Sequence, residues 1–224
     1  MEISRRGKIL KFSLKGKTVP EFENGLQAAI NTLYKFQEKE PDAELQTFVD
    51  VKHTDELSFF LERGFYIANT MLTMTSDLTK GWKVYAPDMP VNVRKYDVLS
   101  EGMEKYLKAN AQGFGEADPR EMIDEQLSQP DGTIYVACDG DEIVSSITTW
   151  NISKDTIATE NIFTIPKYRE KHIAAHMLTK LMNEAATSGK KHAELTVFGD
   201  DLPAYTMYFK LGFEITGAKY ELRY

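Results

Sequence analysis

The sequence predicts an α/β protein of the α+β kind, because strand-like and helix-like segments succeed one another along its 224 residues. Three observations support this prediction. A strand, a short basic turn and a helix follow one another between residues 157 and 181. A longer succession of strands and helices runs from residue 91 onward, and part of it repeats a pattern found earlier in the chain.

The segment from residue 157 to 181 is the most informative part of the sequence. Apolar residues alternate from Ile157 to Ile165, which is typical of a strand, and Pro166 ends the strand because proline lacks a backbone N–H. Apolar residues at helical spacing follow. The start of a helix favours an anion, and Arg169 and Lys171 add positive charge. The segment therefore predicts a phosphate-binding turn; the alternative is an ordinary connection with solvated basic residues.

Composition narrows the class of protein. The formal net charge of −7 argues against a nucleic-acid partner. The longest apolar runs are far too short to cross a membrane, and the first residues lack the pattern of a signal peptide. The single cysteine, Cys138, fits a reducing compartment, and its place in a predicted strand favours a buried structural thiol. We therefore expect a cytoplasmic protein with neither a nucleic-acid nor a membrane partner.

Residues 1–88 are predicted to form a separate N-terminal unit. Proline opens its first helix and glycine ends its second, as these residues commonly do. The predicted elements are a strand (Lys8–Leu14), a helix between Pro20 and Pro41, a strand (Ala43–Val51), a helix (Asp55–Arg63) ended by Gly64, one or two strands (Phe65–Thr75) and a connection (Lys80–Pro90).

Residues 89–224 are predicted to form a second and larger unit. A strong turn signal at residues 139–141 joins two of its strands into a hairpin. The predicted elements are a strand (Val91–Val98), helices (Glu101–Ala111 and Pro119–Leu127), strands (Thr133–Cys138, Glu142–Trp150 and Ile157–Ile165), a helix from Ile173, a strand (Ala193–Phe198), a helix (Pro203–Leu211) and strands from Phe213 to Tyr224.

An internal repeat links the two predicted units. The sequence FLERGF from Phe60 to Phe65 recurs as YFKLGF from Tyr208 to Phe213, and a similar strand pair is expected after each. The Ala-Glu-Leu at residues 43–45 likewise recurs at residues 193–195. Two copies indicate a duplicated half-domain rather than a solenoid. Chance similarity between short β–α–β pieces is the alternative.

The second unit resembles the GNAT superfamily of N-acyltransferases in the order of its elements and in its turn. In that family a strand ending in V-x-P leads into R-G-x-G-x-G/A, whose backbone amides bind the pyrophosphate of acyl-coenzyme A. Here Ile165, Pro166, Arg169 and the residues after them match, whereas Glu170 and His172 stand where the family has glycine. The resemblance implies a mixed, mostly antiparallel sheet flanked by helices. It also implies a degenerate half-GNAT unit at residues 1–88, expected to bind no cofactor.

The resemblance further implies an acetyl-CoA site and the catalytic groups beside it. The expected cofactor-binding residues are Phe163, Thr164, Ile165, Arg169, Glu170, Lys171, His172, Ile173, Ala174, Ala175 and Asp201. Backbone N–H groups near Phe163 and Thr164 would stabilise the oxyanion, and Tyr208 would protonate the departing thiolate. Glu160 is the candidate base. For each catalytic candidate a structural role is the alternative: packing for Tyr208, and fixing a loop or the acceptor for Glu160.

We therefore expect an acetyl-CoA-dependent N-acetyltransferase that acts on an amine acceptor. The alternatives are a GNAT-like module that binds CoA without efficient catalysis, and an interaction protein whose first unit forms a homodimer. The histidines show no spacing typical of a metal site. Acidic residues on the first two helices of the second unit either favour a cationic acceptor or form a solvated face; they are Glu101, Glu104, Glu116, Asp118, Glu121, Asp124 and Glu125.

Overall fold

The computed structural model describes residues 1–15, 18–115 and 120–224. By their contacts these residues form two compact units. Unit 1 comprises Met1–Leu72, Val197–Leu202 and Gly217–Tyr224, and unit 2 comprises Thr73–Thr196 and Pro203–Thr216. The division of the chain into a domain of residues 1–88 and a domain of residues 89–224 stays a prediction.

The described residues form strands and helices in an alternating order. In chain order they are β1 (Glu2–Arg6), β2 (Ile9–Ser13), α1 (Val19–Gln37), β3 (Glu44–Asp50), α2 (Thr54–Leu61), β4 (Tyr66–Asp77), β5 (Asn92–Tyr96), α3 (Val98–Glu101), α4 (Met103–Phe114), α5 (Arg120–Ser128), β6 (Thr133–Asp139), β7 (Glu142–Asn151), β8 (Thr156–Thr164), α6 (Ile173–Thr187), β9 (His192–Phe198), α7 (Leu202–Lys210) and β10 (Glu214–Arg223).

Unit 1 contains a sheet in which β2 pairs antiparallel with β1 and parallel with β3, and β3 pairs antiparallel with β10. Helix α1 connects the two parallel strands. It begins with a reciprocal capping box, in which the Thr18 N–H donates to the Glu21 carboxylate. Its buried face includes Leu26 and Leu33, and the core also contains Phe12 and Phe60.

Unit 2 contains the mixed, mostly antiparallel sheet that the sequence predicts, flanked by helices. Strands β5, β6, β7 and β8 pair antiparallel in that order, and β8 then pairs parallel with β9. Helix α4 packs against β7 and β8, and helix α6 packs against the same two strands. Cys138 is buried in β6, and burial raises the pKa of its thiol.

The structure differs from the sequence predictions in three local features. Strand β1 and the short helix α3 were not predicted, since neither has a periodic apolar pattern long enough to detect. The strand pair expected after each Gly-Phe is wrong. One long strand follows in each case, because neither stretch contains the Asn-Gly or Asp-Gly pair that favours a two-residue turn. Pro119, the predicted start of α5, lies outside the described residues.

The repeated FLERGF and YFKLGF segments have the same local structure. Gly64 and Gly212 both adopt positive φ, 89° and 85°, after a helix. The N–H of Phe65 donates to the Phe60 carbonyl at 3.2 Å, and the N–H of Phe213 donates to the Tyr208 carbonyl at 3.0 Å. A helix joins two parallel strands in each unit, α1 in one and α6 in the other. These similarities support a duplicated half-domain, which stays a proposal.

Candidate active site

The candidate site lies in unit 2, where strands β8 and β9 separate. Their parallel pairing joins Thr156–Ala158 with His192–Glu194 and goes no further among the described residues. Beyond this pairing the Glu160 carboxylate lies between the strands. It accepts a hydrogen bond from the Thr196 N–H at 2.8 Å and lies 3.0 Å from the Thr196 hydroxyl. Residues 161–164 of β8 have no backbone pairing with β9 among the described residues, and we call the place where this pairing is missing the β8–β9 gap.

A bulge in β8 shapes this edge. Glu160 pairs with Thr148 and Phe163 with Ser146, so β8 has one residue more than β7 over this interval. Within the bulge Asn161 has a φ of 50°, in the left-handed region. The bulge was not predicted from the sequence; the available signal was Asn161 itself, because asparagine is depleted in strands and tolerates positive φ.

The peptide groups after the bulge face alternate sides. The Ile165 N–H donates to the Val144 carbonyl of β7 at 2.9 Å, and the Phe163 carbonyl accepts from the Ser145 hydroxyl at 2.6 Å. Successive peptide groups of a strand point to opposite neighbours. The Thr164 N–H therefore faces away from β7, toward the β8–β9 gap, and it can donate a hydrogen bond to an oxygen placed there.

The Glu160 carboxyl has a strongly raised pKa. Burial penalises its charged form and raises the pKa to about 8, and the nearby Glu194 charge acts in the same direction. The two hydrogen bonds from Thr196 oppose this effect without overcoming it. Glu160 is thus mostly protonated at neutral pH, and a small rise in pH ionises it. Such a carboxyl group is suited to proton transfer near neutral pH.

The turn before α6 has the backbone of a glycine-rich turn without its glycines. Glu170 and His172 have φ values of 61° and 56°. Helix α6 starts at Ile173, and its first internal hydrogen bond runs from the His176 N–H to the His172 carbonyl at 2.9 Å. The N–H groups of the three preceding helical residues have no such bond within the helix and can bind an anion. These residues are Ile173, Ala174 and Ala175.

The basic residues of this turn already have protein contacts. Arg169 donates from Nε to the Thr164 carbonyl at 3.1 Å and from Nη2 to the Gly113 carbonyl at 2.8 Å. The Lys171 ammonium lies 5.2 Å from the centre of the Tyr168 ring. Arg169 therefore connects the turn to both α4 and β8.

A segment that the sequence predicts only as a connection runs along α6. We call residues 82–88 the strap. The Trp82 N–H donates to the Asn183 side chain at 3.2 Å, and the Asn183 amide donates back to the Trp82 carbonyl at 2.9 Å. One turn earlier on the helix, the Tyr85 N–H donates to the Thr179 hydroxyl at 3.2 Å. The strap is therefore hydrogen-bonded to successive turns of α6.

The strap ends at the turn before α6. The Asp88 N–H donates to the Lys171 carbonyl at 3.0 Å, and the Asp88 carboxylate lies 3.0 Å from Nδ1 of His172. The ring of Tyr85 stacks on the His172 ring. A carboxylate of the chain therefore lies beside the turn at which an anion is expected.

The other two predicted site residues lie on or before α7. Tyr208 is buried in unit 2, and its ring packs edge-on against Phe213 with 6.0 Å between ring centres. Asp201 belongs to unit 1, and its N–H donates to the Phe198 carbonyl at 3.1 Å. The roles expected for Tyr208 as an acid and for Asp201 as a cofactor ligand stay predictions.

Some of the acidic residues that would favour a cationic acceptor form ion pairs within the protein. Both Glu101 oxygens accept from Arg94 at 2.6 Å, which lowers the pKa of Glu101, and Glu104 pairs with Arg120. Glu116 and Asp118 lie outside the described residues. Across the part of the chain that the structure describes, no group of three or more acidic, histidine or cysteine side chains could hold a metal ion, and no helix is long and apolar enough to cross a membrane.

The comparisons with known proteins point to one family. A sequence model of the acetyltransferase (GNAT) family matches residues 100–213. A mycothiol acetyltransferase from Brachybacterium faecium is 24% identical over a 184-residue alignment that covers 75% of this chain and 55% of that protein. The chain therefore spans about half the length of this curated relative.

Solved structures share the fold. A GCN5-related N-acetyltransferase from Sphaerobacter thermophilus has a TM-score of 0.70 at 15% identity, over 100% of this chain and 75% of that one. The GCN5-related N-acetyltransferase from Kribbella flavida has a TM-score of 0.60 at 18% identity, over 96% and 79%. A glucosamine N-acetyltransferase region of a fungal β-N-acetylglucosaminidase has a TM-score of 0.72 at 12% identity, over 99% and 30%.

Proposed function

Because this chain belongs to the acetyltransferase (GNAT) family, we propose that it is an N-acetyltransferase that uses acetyl-CoA and transfers the acyl group to a primary amine of a small molecule or peptide. The observation that carries this proposal is the β8–β9 gap. Strand β9 does not pair with this part of β8 among the described residues, the Thr164 N–H faces the gap, and β8 leads into a turn and a helix start suited to phosphate.

The residues present fit acetyl-CoA, which supplies an acyl thioester. The N–H groups of Ile173, Ala174 and Ala175 and the charges of Arg169 and Lys171 would hold its phosphates. The peptide N–H of Thr164 would hold the acyl oxygen in the gap as negative charge develops there.

Proton transfer is assigned to two side chains. Glu160, in its ionised form, would accept a proton from the amine, directly or through water, so that the nitrogen carries a free electron pair. Its raised pKa of about 8 allows it to release that proton to solvent near neutral pH. The Tyr208 hydroxyl would donate a proton to the leaving sulfur.

Calorimetric titration with acetyl-CoA tests the cofactor assignment. We expect micromolar binding by the unaltered protein and its loss when Arg169 and Lys171 are both changed to Ala. The matched control is Lys167→Ala, which removes a charge paired with Glu142 and outside the expected phosphate contacts. Absence of binding by the unaltered protein would contradict the proposal.

Release of free CoA in the presence of amines tests the activity. The amine panel includes glucosamine, which the fungal neighbour's name identifies as its substrate, together with a peptide carrying a free amino terminus and a polyamine. The curated relative is named a mycothiol acetyltransferase, so the panel also includes an amine acceptor of the kind that this name implies. Faster CoA release with one amine than with buffer alone is the expected result.

A module that binds CoA without efficient catalysis is the second candidate. It is favoured by the Asp88 carboxylate beside His172 and by the contacts that already use the Arg169 guanidinium. Binding without CoA release for any amine would support it, and turnover with any amine would exclude it. A homodimer formed through residues 1–88 also stays a prediction, which light scattering tests.

A further inference from the structure

We propose that Asn161 is a positioning residue, which holds the β8 edge of the gap in place through a hydrogen-bonded connection to helix α4. The proposal deepens the proposed acyl transfer and rests on it. It assigns a role to three side chains that the catalytic scheme does not use, namely Asn161, Tyr106 and Asn110. We call them the α4 clamp.

The clamp is a chain of hydrogen bonds with one direction. The Asn110 amide donates to the Asn161 side-chain oxygen at 3.0 Å, and the Asn161 amide donates to the Tyr106 hydroxyl at 3.0 Å. The Ser146 hydroxyl donates to the Tyr135 carbonyl at 3.0 Å and lies 3.0 Å from the Tyr106 hydroxyl. Because the Ser146 proton goes to the Tyr135 carbonyl, Ser146 accepts the proton of the Tyr106 hydroxyl.

Burial makes this chain of hydrogen bonds costly to break. Tyr106, Asn110 and Ser146 are fully buried, and Asn161 is 8% exposed. A buried polar group that loses its partner cannot recover the bond from water. Burial also raises the pKa of Tyr106, so its hydroxyl keeps its proton over the working pH range.

The clamp holds the residue at which the strand is strained. Asn161 has a φ of 50° in the middle of β8, and a left-handed residue persists there only where its surroundings fix it. Both ends of the Asn161 side-chain amide are bonded to α4. The two groups that set the direction of Thr164 toward the gap, the Phe163 carbonyl and the Ile165 N–H, follow within four residues of Asn161. The position of the proposed oxyanion donor thus depends on the bulge, and the bulge is attached to α4.

A third contact extends the attachment along the same helix face. Tyr106, Asn110 and Gly113 are spaced i, i+4 and i+7, which places them on one face of α4. A Cβ on Gly113 would lie 2.5 Å from the Phe163 ring, so glycine there allows β8 to approach closely. The Gly113 carbonyl also accepts from Arg169. Helix α4 therefore contacts the strand within the bulge and after it.

Tyr106→Phe tests the proposal, because it removes the shared hydroxyl and keeps the ring. The matched control is Tyr96→Phe. Its hydroxyl donates to the Gly102 carbonyl at 2.8 Å and its ring lies 5.6 Å from that of Tyr106, but it has no bond to Asn161. Amide hydrogen exchange at Phe163 and Ile165 is measured by NMR in both variants. Faster exchange only in Tyr106→Phe is expected, and equal rates would overturn the clamp.

Kinetics then separate positioning from stability. We expect Tyr106→Phe to lower kcat about 10- to 100-fold while KM for acetyl-CoA changes little. A displaced N–H donor weakens the stabilisation of the transition state more than the binding of the cofactor. Asn161→Gly keeps the left-handed backbone without strain and lacks the clamp, so it should show the same loss. An unchanged kcat in both variants would overturn the positioning role. If the unaltered protein acetylates no amine, the proposed function fails, whereas the exchange result still decides the clamp.

Discussion

Glu170 and His172 both have left-handed backbone angles, although neither is glycine. A side chain with a Cβ costs about 1–2 kcal/mol in that conformation. His172 has contacts that offset this cost, since it meets the Asp88 carboxylate and stacks on Tyr85. For Glu170, the described part of the structure shows neither a hydrogen bond nor an ion pair to the carboxylate. Its strain is therefore the easier one to test.

Changing Glu170 to Gly should stabilise the protein and tighten acetyl-CoA binding. Removing the Cβ relieves about 0.5–1 kcal/mol after the greater freedom of glycine in the unfolded chain is included. Glu170→Ala is the control, because it removes the charge and keeps the strained backbone. We expect Ala to improve only binding and Gly to improve both binding and the free energy of unfolding. Equal stability of the two variants in urea titrations would contradict the strain argument.

Glu160 should make the protein less stable as the pH rises. Its carboxyl has a pKa of about 8 in the folded protein and an ordinary value of 4.5 when unfolded. Between these values the folded state binds a proton that the unfolded state has lost, so the stability contributed falls by about 1.4 kcal/mol per pH unit. Below pH 4.5 both states are protonated and the effect is absent.

The measurement is the free energy of unfolding of Glu160→Gln and of the unaltered protein from pH 4.5 to 8. The Gln variant should gain steadily relative to the unaltered protein over this range. Glu184→Gln, an exposed change on α6, should show no such trend. A constant difference between Glu160→Gln and the unaltered protein would mean that the Glu160 carboxyl is already ionised in the folded state.

At the scale of elements, the strap and α6 act together on the phosphate turn. The strap is hydrogen-bonded to Asn183 and Thr179 of α6 and to Lys171 in the turn before it, and its last residue places a carboxylate beside His172. A phosphate at the start of α6 would share that region with a negative charge. The strap thus fixes the turn but opposes an anion there.

Changing Asp88 to Asn should tighten acetyl-CoA binding about fivefold, which corresponds to one screened charge contact near a protein surface. The amide keeps the shape of the side chain and its contact with His172. Calorimetry at low and high salt measures the effect, which should shrink as salt screens the charge. Asp155→Asn, which disrupts an ion pair with Lys191 away from the turn, is the control. Weaker binding by Asp88→Asn would mean that the carboxylate holds His172 in a shape the cofactor needs.

At the scale of the whole molecule, the order of elements was predictable and the details of the site were not. Apolar periodicity identified β8 and α6, since each buries one regular face. The bulge at Asn161 depends on Tyr106, which is 55 residues away in the chain. The left-handed angle of His172 likewise depends on surroundings such as Asp88, a distant residue of the strap. Local patterns do not report such contacts.

The N-terminal segment also depends on distant residues. Within unit 1, β3 pairs with β10, and the Leu45 N–H and carbonyl both bond to Tyr224, at 3.1 and 3.2 Å. Leu222 is buried in the same core as Leu45. Residues 1–88 alone would therefore leave an edge of β3 unpaired and part of this core exposed to water.

We expect a fragment of residues 1–88 to lack cooperative unfolding, although the sequence predicts it as a unit. The same fragment with residues 217–224 attached through a flexible Gly/Ser linker should regain it, because the added strand restores the pairing with β3. Replacing Leu222 by Asp in the attached segment is the control, since a buried charge prevents docking. Circular dichroism during urea titration measures each fragment. Cooperative unfolding of residues 1–88 alone would instead establish that the half-domain folds without β10.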